Sequence, residues 1–214
     1  MKRLARPSYD PSVPEPVFPS SSEGHSWPTK VPGLTLRQLQ PEDSFALARI
    51  VDRHRGFLAR GLAWIHQNPT PDALQKFLQI AATETARGNA YHAVILLETR
   101  PIGMVGLYWV ERTERCARLT YWLEPNSTGH GYATAAVSAW IGIAFRNFYL
   151  AVIESRVDPA NNPSRRLCRR LGFTEIGLLP AEEWSGEDFT DVIVYRLNRA
   201  DWPLADPSAP SHSV

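Results

Sequence analysis

The sequence has few cysteines: Cys116 and Cys168 are the two among 214 residues. Two thiols cannot build the disulfide framework that stabilises many small secreted domains. Their scarcity favours a reducing compartment, and we expect the protein to be cytoplasmic. Cys168 falls in a stretch that predicts a helix, where we expect a small packing residue rather than a nucleophile.

The chain also lacks a charge surplus and long apolar runs. Lys and Arg total 23 and Asp and Glu total 22, so the net charge is +1, which disfavours broad nucleic-acid binding. No apolar run approaches the roughly 18 residues that a membrane-spanning helix needs. The basic N-terminus is followed by proline and serine rather than by an apolar segment, so we expect no secretory signal. We therefore expect neither a nucleic-acid nor a membrane partner.

Proline is abundant near both ends of the chain. Residues 1–32 contain seven prolines and almost no apolar periodicity, which predicts a disordered N-terminal extension. Residues 203–214 have a similar composition and predict a disordered tail. The intervening residues 33–202 are enough for one domain with its own hydrophobic core.

Within this domain the apolar pattern predicts the element order β-α-α-β-β-β-α-β-α-β-β. Alternation in Leu34–Leu39 indicates a strand, and Thr70 followed by Pro71 is typical of a helix start. A meander followed by βαβ crossovers predicts a mixed sheet with helices on its faces. The remaining strands are predicted at 91–97 and 102–110, which form a hairpin, and at 119–123, 151–157, 173–177 and 189–197.

The most informative segment is the turn from Thr128 to Ala133, which connects an apolar strand to a long helix. Gly129 and Gly131 let the main chain pass close to a ligand. Backbone N–H groups and a helix N-terminus then point at one place, which suits a phosphate or pyrophosphate. The third glycine of a dinucleotide fingerprint and the Gly-Lys-Ser/Thr of a nucleotide-triphosphate loop are both missing. An ordinary strand-to-helix loop is the alternative.

A second polar segment follows the next predicted strand. Asn161 and Ser164 flank the start of a short helix that Gly172 ends. Either side chain could be a helix cap and nothing more. Four arginines on this helix could attract phosphates, although a solvated helix face is the simpler interpretation for at least two of them: Arg165, Arg166, Arg169 and Arg170.

Together the two segments resemble the GNAT superfamily of acyl-CoA-dependent N-acetyltransferases. The pattern Y-W-L-E-P…G-x-G-Y-A…V-D-P-x-N-x-x-S…L-G-F is most similar to the RimJ/RimL-type branch, and the resemblance covers about residues 34–197. It implies the GNAT fold, an α/β (α+β) arrangement with a mixed, mostly antiparallel central sheet of six to seven strands and about four flanking helices. It also implies an N-acetyltransferase that uses acetyl-CoA as co-substrate and needs no metal.

The resemblance also implies which residues of this chain contact the cofactor. The resemblance implies that Asn161 contacts acetyl-CoA and that the strand ending at Leu123 runs beside the pantetheine arm. Thr128 departs from the family pattern, which usually has Gln or Arg, so this position offers a hydroxyl but no charge. The pyrophosphate is expected to bind the main-chain amides of Thr128, Gly129, His130, Gly131, Tyr132 and Ala133, with His130 contributing its N–H rather than its ring.

Acetyl transfer in a ternary complex needs a positioned amine, a base, a stabilised thioester oxyanion and a proton for the departing thiolate. A main-chain N–H near Leu123 is suited to the oxyanion. Ser164 matches the serine of the RimJ/RimL-type motif and is the predicted proton donor to the thiolate. Glu183 is the predicted general base, because the resemblance implies a Glu before an aromatic residue there, and Glu182 is the neighbour to exclude.

The acceptor is the least determined part. The RimJ/RimL-type branch implies the α-amino group of a protein, including ribosomal proteins, whereas related members acetylate small amines, amino-acid derivatives or antibiotics. Residues 53–71 are expected to shape the acceptor side. A cluster of acids could bind a basic peptide or form only a solvated loop: Glu182, Glu183, Glu187 and Asp188. A non-catalytic acyl-CoA-binding module and a generic α/β binding protein are the alternatives, and the chain is expected to be a monomer or a homodimer.

Overall fold

A computed structural model describes residues 26–87, 89–184 and 188–203, without the side chain of Glu183. Within these residues, eight strands form one mixed sheet in the order β1-β2-β3-β4-β5-β6-β8-β7. The strands are β1 Ser26–Pro28, β2 Leu34–Gln38, β3 Tyr91–Leu97, β4 Arg100–Glu111, β5 Cys116–Leu123, β6 Val152–Val157, β7 Thr174–Trp184 and β8 Phe189–Asn198.

The described residues also form six α-helices. Helix α4 begins as the sequence predicts: the Thr70 side chain accepts a hydrogen bond from the Ala73 N–H, and Pro71 occupies the first turn. No helix in this part of the chain is both long and apolar enough to span a bilayer. The helices are α1 Asp43–Arg53, α2 Arg55–Leu58, α3 Trp64–Gln67, α4 Pro71–Ala86, α5 Tyr132–Asn147 and α6 Asn162–Arg170.

Two apolar cores lie on opposite faces of the sheet. One packs α5 and α6 against the strands, with Trp140 and Phe145 of α5 fully buried. The other packs α1 and α4 against Val94, Met104 and Trp122 on the opposite face. Strand β3 is therefore buried on both faces, as its continuous run of buried residues shows.

The parallel pair β5 and β6 divides the sheet into two arms. Every other neighbouring pair of strands is antiparallel. The chain reaches β6 from β5 through α5, which is the crossover that a parallel pair requires. The predicted hairpin is confirmed, with Leu97 ending β3 and Arg100 starting β4.

The mixed, mostly antiparallel sheet is as expected, but the predicted element counts were low. Strand β1 lies inside the extension for which the sequence predicted disorder up to residue 32. It pairs with β2, and Trp27 packs edge-on against Trp140 with ring centroids 5.5 Å apart. Helices α2 and α3 have four residues each, too few for an apolar period to register. Strand β7 continues past its predicted end at Gly177, and residues 1–25 and 204–214 lie outside the described residues.

Candidate functional site

The site is a gap between β5 and β6. The two strands pair from Cys116 with Val152 as far as Leu119 with Ser155, and then separate. A cavity of about 520 Å³ occupies the gap and is lined from both sides of it, by Tyr121 of β5 and by Val157 of β6 among others. The ends of the two strands therefore form one part of its wall.

The backbone of β5 presents donors to this gap. The Glu124 N–H donates to the Ile102 carbonyl on β4 at 2.9 Å. Because successive residues of a strand direct their N–H groups to opposite neighbours, the N–H groups of Leu123 and Tyr121 point away from β4 and toward the gap. The strand pairing with β6 ends before either residue. The predicted oxyanion donor near Leu123 thus has a main-chain N–H in a suitable direction.

Two predicted residues lie at the start of α6, on the other wall of the gap. The Asn161 side-chain oxygen accepts a hydrogen bond from the Ser164 N–H at 3.2 Å, so Asn161 is the helix cap that the sequence left open as an alternative. The Ser164 hydroxyl is held differently, accepting a hydrogen bond of 2.9 Å from the Tyr121 hydroxyl. Both Asn161 and Ser164 line the cavity.

Tyr121 is a site residue that the sequence did not reveal. Burial raises the pKa of its phenol to about 12, so the hydroxyl keeps its proton at neutral pH. Because Tyr121 donates to the Ser164 oxygen, the proton of the Ser164 hydroxyl is available for another acceptor in the gap. A tyrosine in an apolar strand carries no local signal for this role, since its partner lies 43 residues further along the chain.

The glycine turn is exposed, and three of its amides are uncommitted. Gly129 and Gly131 have φ of +83° and +80°, where a side chain is strained. No side chain caps α5. Among the described residues, the N–H groups of Gly129, His130 and Gly131 have no acceptor. The ring of His130 stacks on Tyr132 with centroids 5.3 Å apart.

Thr128 lies at the beginning of this turn and is exposed. Its hydroxyl and its backbone N–H both donate to the Pro125 carbonyl, at 2.8 Å and 3.1 Å, so the predicted pyrophosphate contact through the Thr128 amide is wrong and the uncommitted amides begin at Gly129. The side chain therefore folds back on the short 3-10 turn Pro125–Ser127 that precedes it. A charge is missing at this position, as the sequence indicated.

A positive charge reaches the turn from α6 instead. The guanidinium of Arg170 donates to the Thr134 hydroxyl in the first turn of α5 at 3.0 Å. Two of the other arginines are engaged elsewhere: Arg165 bonds to the Pro159 carbonyl, and Arg169 pairs with Glu175. Arg166 is exposed and has no contact among the described residues. The structure thus separates Arg170 from the rest of the cluster.

The opposite mouth of the cavity is formed by the connection from α2 to α3 and by α4. Trp64 lines the cavity and stacks on Phe77 with ring centroids 4.8 Å apart. Gly61 brings this connection close to α6, because a Cβ there would lie 3.1 Å from the Asn161 amide nitrogen. Leu58 and Ile65, by contrast, are buried in the core beneath α1 and α4.

The predicted base lies in β7, whose end borders the cavity. The backbone of Glu183 pairs with Thr190, while its side chain and Glu187 lie outside the described residues. Glu182 forms an ion pair with Arg156, which gives its carboxylate a structural role. Cys168 is fully buried, and burial raises the pKa of its thiol to about 11, in keeping with the packing role expected for it.

Comparison with known protein families assigns the chain. A family model described as an acetyltransferase (GNAT) domain matches residues 33–174. The uncharacterized N-acetyltransferase p20 of Bacillus licheniformis is 28% identical over 173 residues, which cover 79% of this chain and 94% of that protein. The ribosomal-protein-serine acetyltransferase of Escherichia coli (strain K12) is 26% identical over 151 residues, which cover 70% of this chain and 83% of that protein.

A solved structure has the same fold. Mycobacterium smegmatis RimJ in complex with CoA-disulfide superposes with a TM-score of 0.74 at 25% sequence identity. The match covers 83% of this chain and 88% of that one. The fold expected from the resemblance is therefore confirmed.

Proposed function

Because the chain belongs to the acetyltransferase (GNAT) domain family, we propose that it transfers the acetyl group of acetyl-CoA to the N-terminal α-amino group of a protein. The observation that carries the proposal is the gap between β5 and β6, which a cavity of about 520 Å³ reaches, together with the uncommitted amides of Gly129, His130 and Gly131 in the turn that follows β5. Transfer occurs directly within a ternary complex.

The cofactor end is the turn from Thr128 to Ala133. Its uncommitted amides and the N-terminus of α5 suit the pyrophosphate. Arg170 supplies beside them the positive charge that Thr128 does not. The pantetheine arm then extends along Leu123 into the gap, where Asn161 lines the facing wall. RimJ of Mycobacterium smegmatis, whose fold this chain shares, is described as a complex with CoA-disulfide.

The chemistry follows from the groups around the gap. The neutral amine attacks the thioester carbon, and the Leu123 N–H stabilises the oxyanion that forms. When the C–S bond breaks, the Ser164 hydroxyl gives its proton to the thiolate, and the Tyr121 hydroxyl holds the Ser164 oxygen in place. Glu183 takes the proton that the amine loses, directly or through a water.

A protein N-terminus is proposed as acceptor on two grounds. The Escherichia coli relative is named as an acetyltransferase of a ribosomal-protein serine. The cavity has a volume of about 520 Å³ and an apolar wall at Trp64 and Phe77, against which the end of a chain can pack. Small amines are the alternative acceptors that the same cavity admits.

The test combines thiol release from acetyl-CoA with mass spectrometry of the acceptor. The full chain is incubated with peptides that have a free N-terminus, the same peptides with a blocked N-terminus and a lysine side chain, and small alkylamines. We expect thiol release and addition of one acetyl group only with the free N-termini. Release with alkylamines alone would replace the protein acceptor by a small one, and CoA binding without any release would support the non-catalytic alternative.

A further inference from the structure

His92 is a buried histidine on the wall of the same cavity, outside the groups assigned above. It lies on β3 opposite Gly106 of β4 and is 7% exposed. The edge of its ring lies against Gly106, because a Cβ at that position would come within 2.2 Å of the His92 Cδ2 and 2.9 Å of its Nε2. Only a glycine in β4 therefore admits the imidazole, which extends across β4 on the face that carries α4.

Thr85 of α4 determines which ring nitrogen of His92 carries the hydrogen. The Thr85 hydroxyl and the His92 Nδ1 are 3.0 Å apart, and Thr85 is fully buried. Among the described residues the Thr85 hydroxyl has no other partner. If Nδ1 donated, the buried O–H of Thr85 would be left without an acceptor, which costs more than leaving an oxygen lone pair unused. The hydroxyl therefore donates to Nδ1, and the hydrogen of the neutral ring is on Nε2.

The Nε2–H faces the cavity. His92 lines the cavity, and its Nε2 has no partner among the described residues. It is also absent from the fully buried polar atoms without a partner in this part of the chain, so solvent or a ligand can reach it. Burial lowers the pKa of His92 to about 4, so the ring is neutral at pH 7.

The position of His92 relates it to the reacting groups. Gly106 pairs with His92 on one side and with Thr120 of β5 on the other. Thr120 is the first residue of β5 beyond the paired region, where the gap begins. The row His92, Gly106 and Thr120 thus leads across the sheet from the histidine to the beginning of the gap.

We propose that the His92 Nε2–H donates a hydrogen bond to the carbonyl oxygen next to the reacting amine, so that the site selects peptide N-termini over simple alkylamines. A neutral N–H donor cannot bind an ammonium group, and it needs an oxygen or nitrogen acceptor. A peptide N-terminus carries such an oxygen on the carbon adjacent to the amine-bearing carbon. The inference rests on the proposed function and names the residue that selects its acceptor.

Most charged groups that line the cavity have partners of their own. Glu84 accepts hydrogen bonds from Arg87 and Asn89, Arg156 pairs with Glu182, Asp158 accepts from the Ala160 N–H, and Arg60 lies over the ring of Phe57. Without the His92 donor, a peptide carbonyl buried in the cavity would lose its bond to water and gain little in return. That loss is the source of the selectivity.

The experiment compares a short peptide with its (E)-alkene isostere, in which the first peptide bond lacks its carbonyl oxygen. We measure kcat/KM for both acceptors and, by calorimetry in the presence of CoA, their binding. The wild-type chain is expected to prefer the peptide, and His92→Leu is expected to lower this preference about tenfold, chiefly by weakening the peptide. His92→Gln, which keeps an N–H donor near the Nε2 position, is expected to recover most of it. CoA affinity is the control and stays unchanged.

The two proposals fail in different ways. A preference that is the same in the wild type and in His92→Leu overturns the role of His92 while leaving the acetyltransferase function intact. A wild-type chain that binds both acceptors but acetylates neither contradicts the function, and the binding ratio then decides on His92 alone. The ¹⁵N NMR spectrum of histidine-labelled wild-type protein does not depend on the folding of any variant, and a hydrogen on Nδ1 of His92 would overturn the inference.

Discussion

Ser164 contacts its surroundings through two different atoms. Its backbone N–H donates to Asn161 and completes the cap of α6, whereas its hydroxyl oxygen accepts from Tyr121. A substitution of the side chain therefore removes the proposed proton donor and leaves the cap in place. This separation makes the catalytic proposal testable without unfolding the helix.

Ser164→Ala is expected to lower kcat by about tenfold to a hundredfold, less than a general acid usually contributes because a CoA thiol is already a fair leaving group. CoA affinity, measured by calorimetry, should change less than about twofold. Asn161→Ala is the matched comparison, because it removes the side chain that caps α6. It should lower the free energy of unfolding by about 1 kcal/mol. Equal losses of turnover and CoA affinity in Ser164→Ala would reduce this residue to a binding role.

Gly131 allows a test of the cofactor turn with a control elsewhere in the chain. Gly131 and Gly172 have φ of +80° and +83°, and in both cases a Cβ would meet no atom within 4 Å. Tryptophan at either position should cost about 1–2 kcal/mol of backbone strain. Gly131→Trp should in addition lower CoA affinity at least tenfold by filling the space of the pyrophosphate, whereas Gly172→Trp should not. Unchanged CoA affinity in Gly131→Trp would contradict the assignment of the turn.

At the scale of the elements, α6 connects the two ends of the cofactor site. Its first turn carries Asn161 and Ser164 on the wall of the gap, and its last turn carries Arg170 at the start of α5. Arg166, one turn earlier on the same helix, is exposed without a contact among the described residues. Comparing Arg170 with Arg166 therefore tests whether CoA binding depends on one specific charge or on the basic face of α6 as a whole.

Arg170→Gln is expected to weaken CoA binding about threefold to tenfold, because a cation beside a phosphate favours the anion. The change in log Kd for CoA that Arg166→Gln causes should be less than half of the change that Arg170→Gln causes. The affinity of Arg170→Gln should also fall less steeply with added salt, since one of the screened interactions is absent. Titration of both variants at low and high ionic strength measures the two effects, and identical behaviour would show that Arg170 is no nearer the phosphates.

The sequence predicted an element correctly where residues adjacent in the chain determine it. The Thr70 cap, the hairpin between β3 and β4, and the glycine turn before α5 each depend on residues adjacent in sequence. Strand β1 has no such signal, because its order comes from pairing with β2 and from Trp27 against Trp140. Strand β7 was predicted too short because register shifts after Glu175 and Leu179 break its alternation.

At the scale of the whole molecule, the site arises from tertiary contacts that no single segment contains. The gap exists because β5 and β6 stop pairing at Leu119, a fact of sheet geometry rather than of either strand's composition. It unites a tyrosine of β5 with a serine of α6, and a histidine of β3 with a threonine of α4. Motif resemblance indicated the serine, but the histidine has no motif and appears in the sequence only as one residue in an apolar strand.

Burial of His92 has a consequence for the stability of the whole fold. The imidazole has an ordinary pKa of 6.5, and burial lowers it to about 4 in the folded chain. Between these values the unfolded chain binds a proton that the folded chain does not. The contribution of the neutral ring to stability is therefore complete above pH 6.5 and is lost as the pH falls toward 4.

The His92→Gln variant isolates this contribution, because glutamine does not titrate while the other ionisable groups remain. The free energy of unfolding of the wild type should fall by about 2 kcal/mol more than that of His92→Gln between pH 7 and pH 5. Urea denaturation of both proteins at the two pH values gives the difference. A wild-type loss no larger than that of the variant would mean that the ring takes up its proton in the folded chain. In that case His92 would be charged at the lower pH and would repel an incoming ammonium group, so acetylation of a peptide N-terminus should decline over the same pH range.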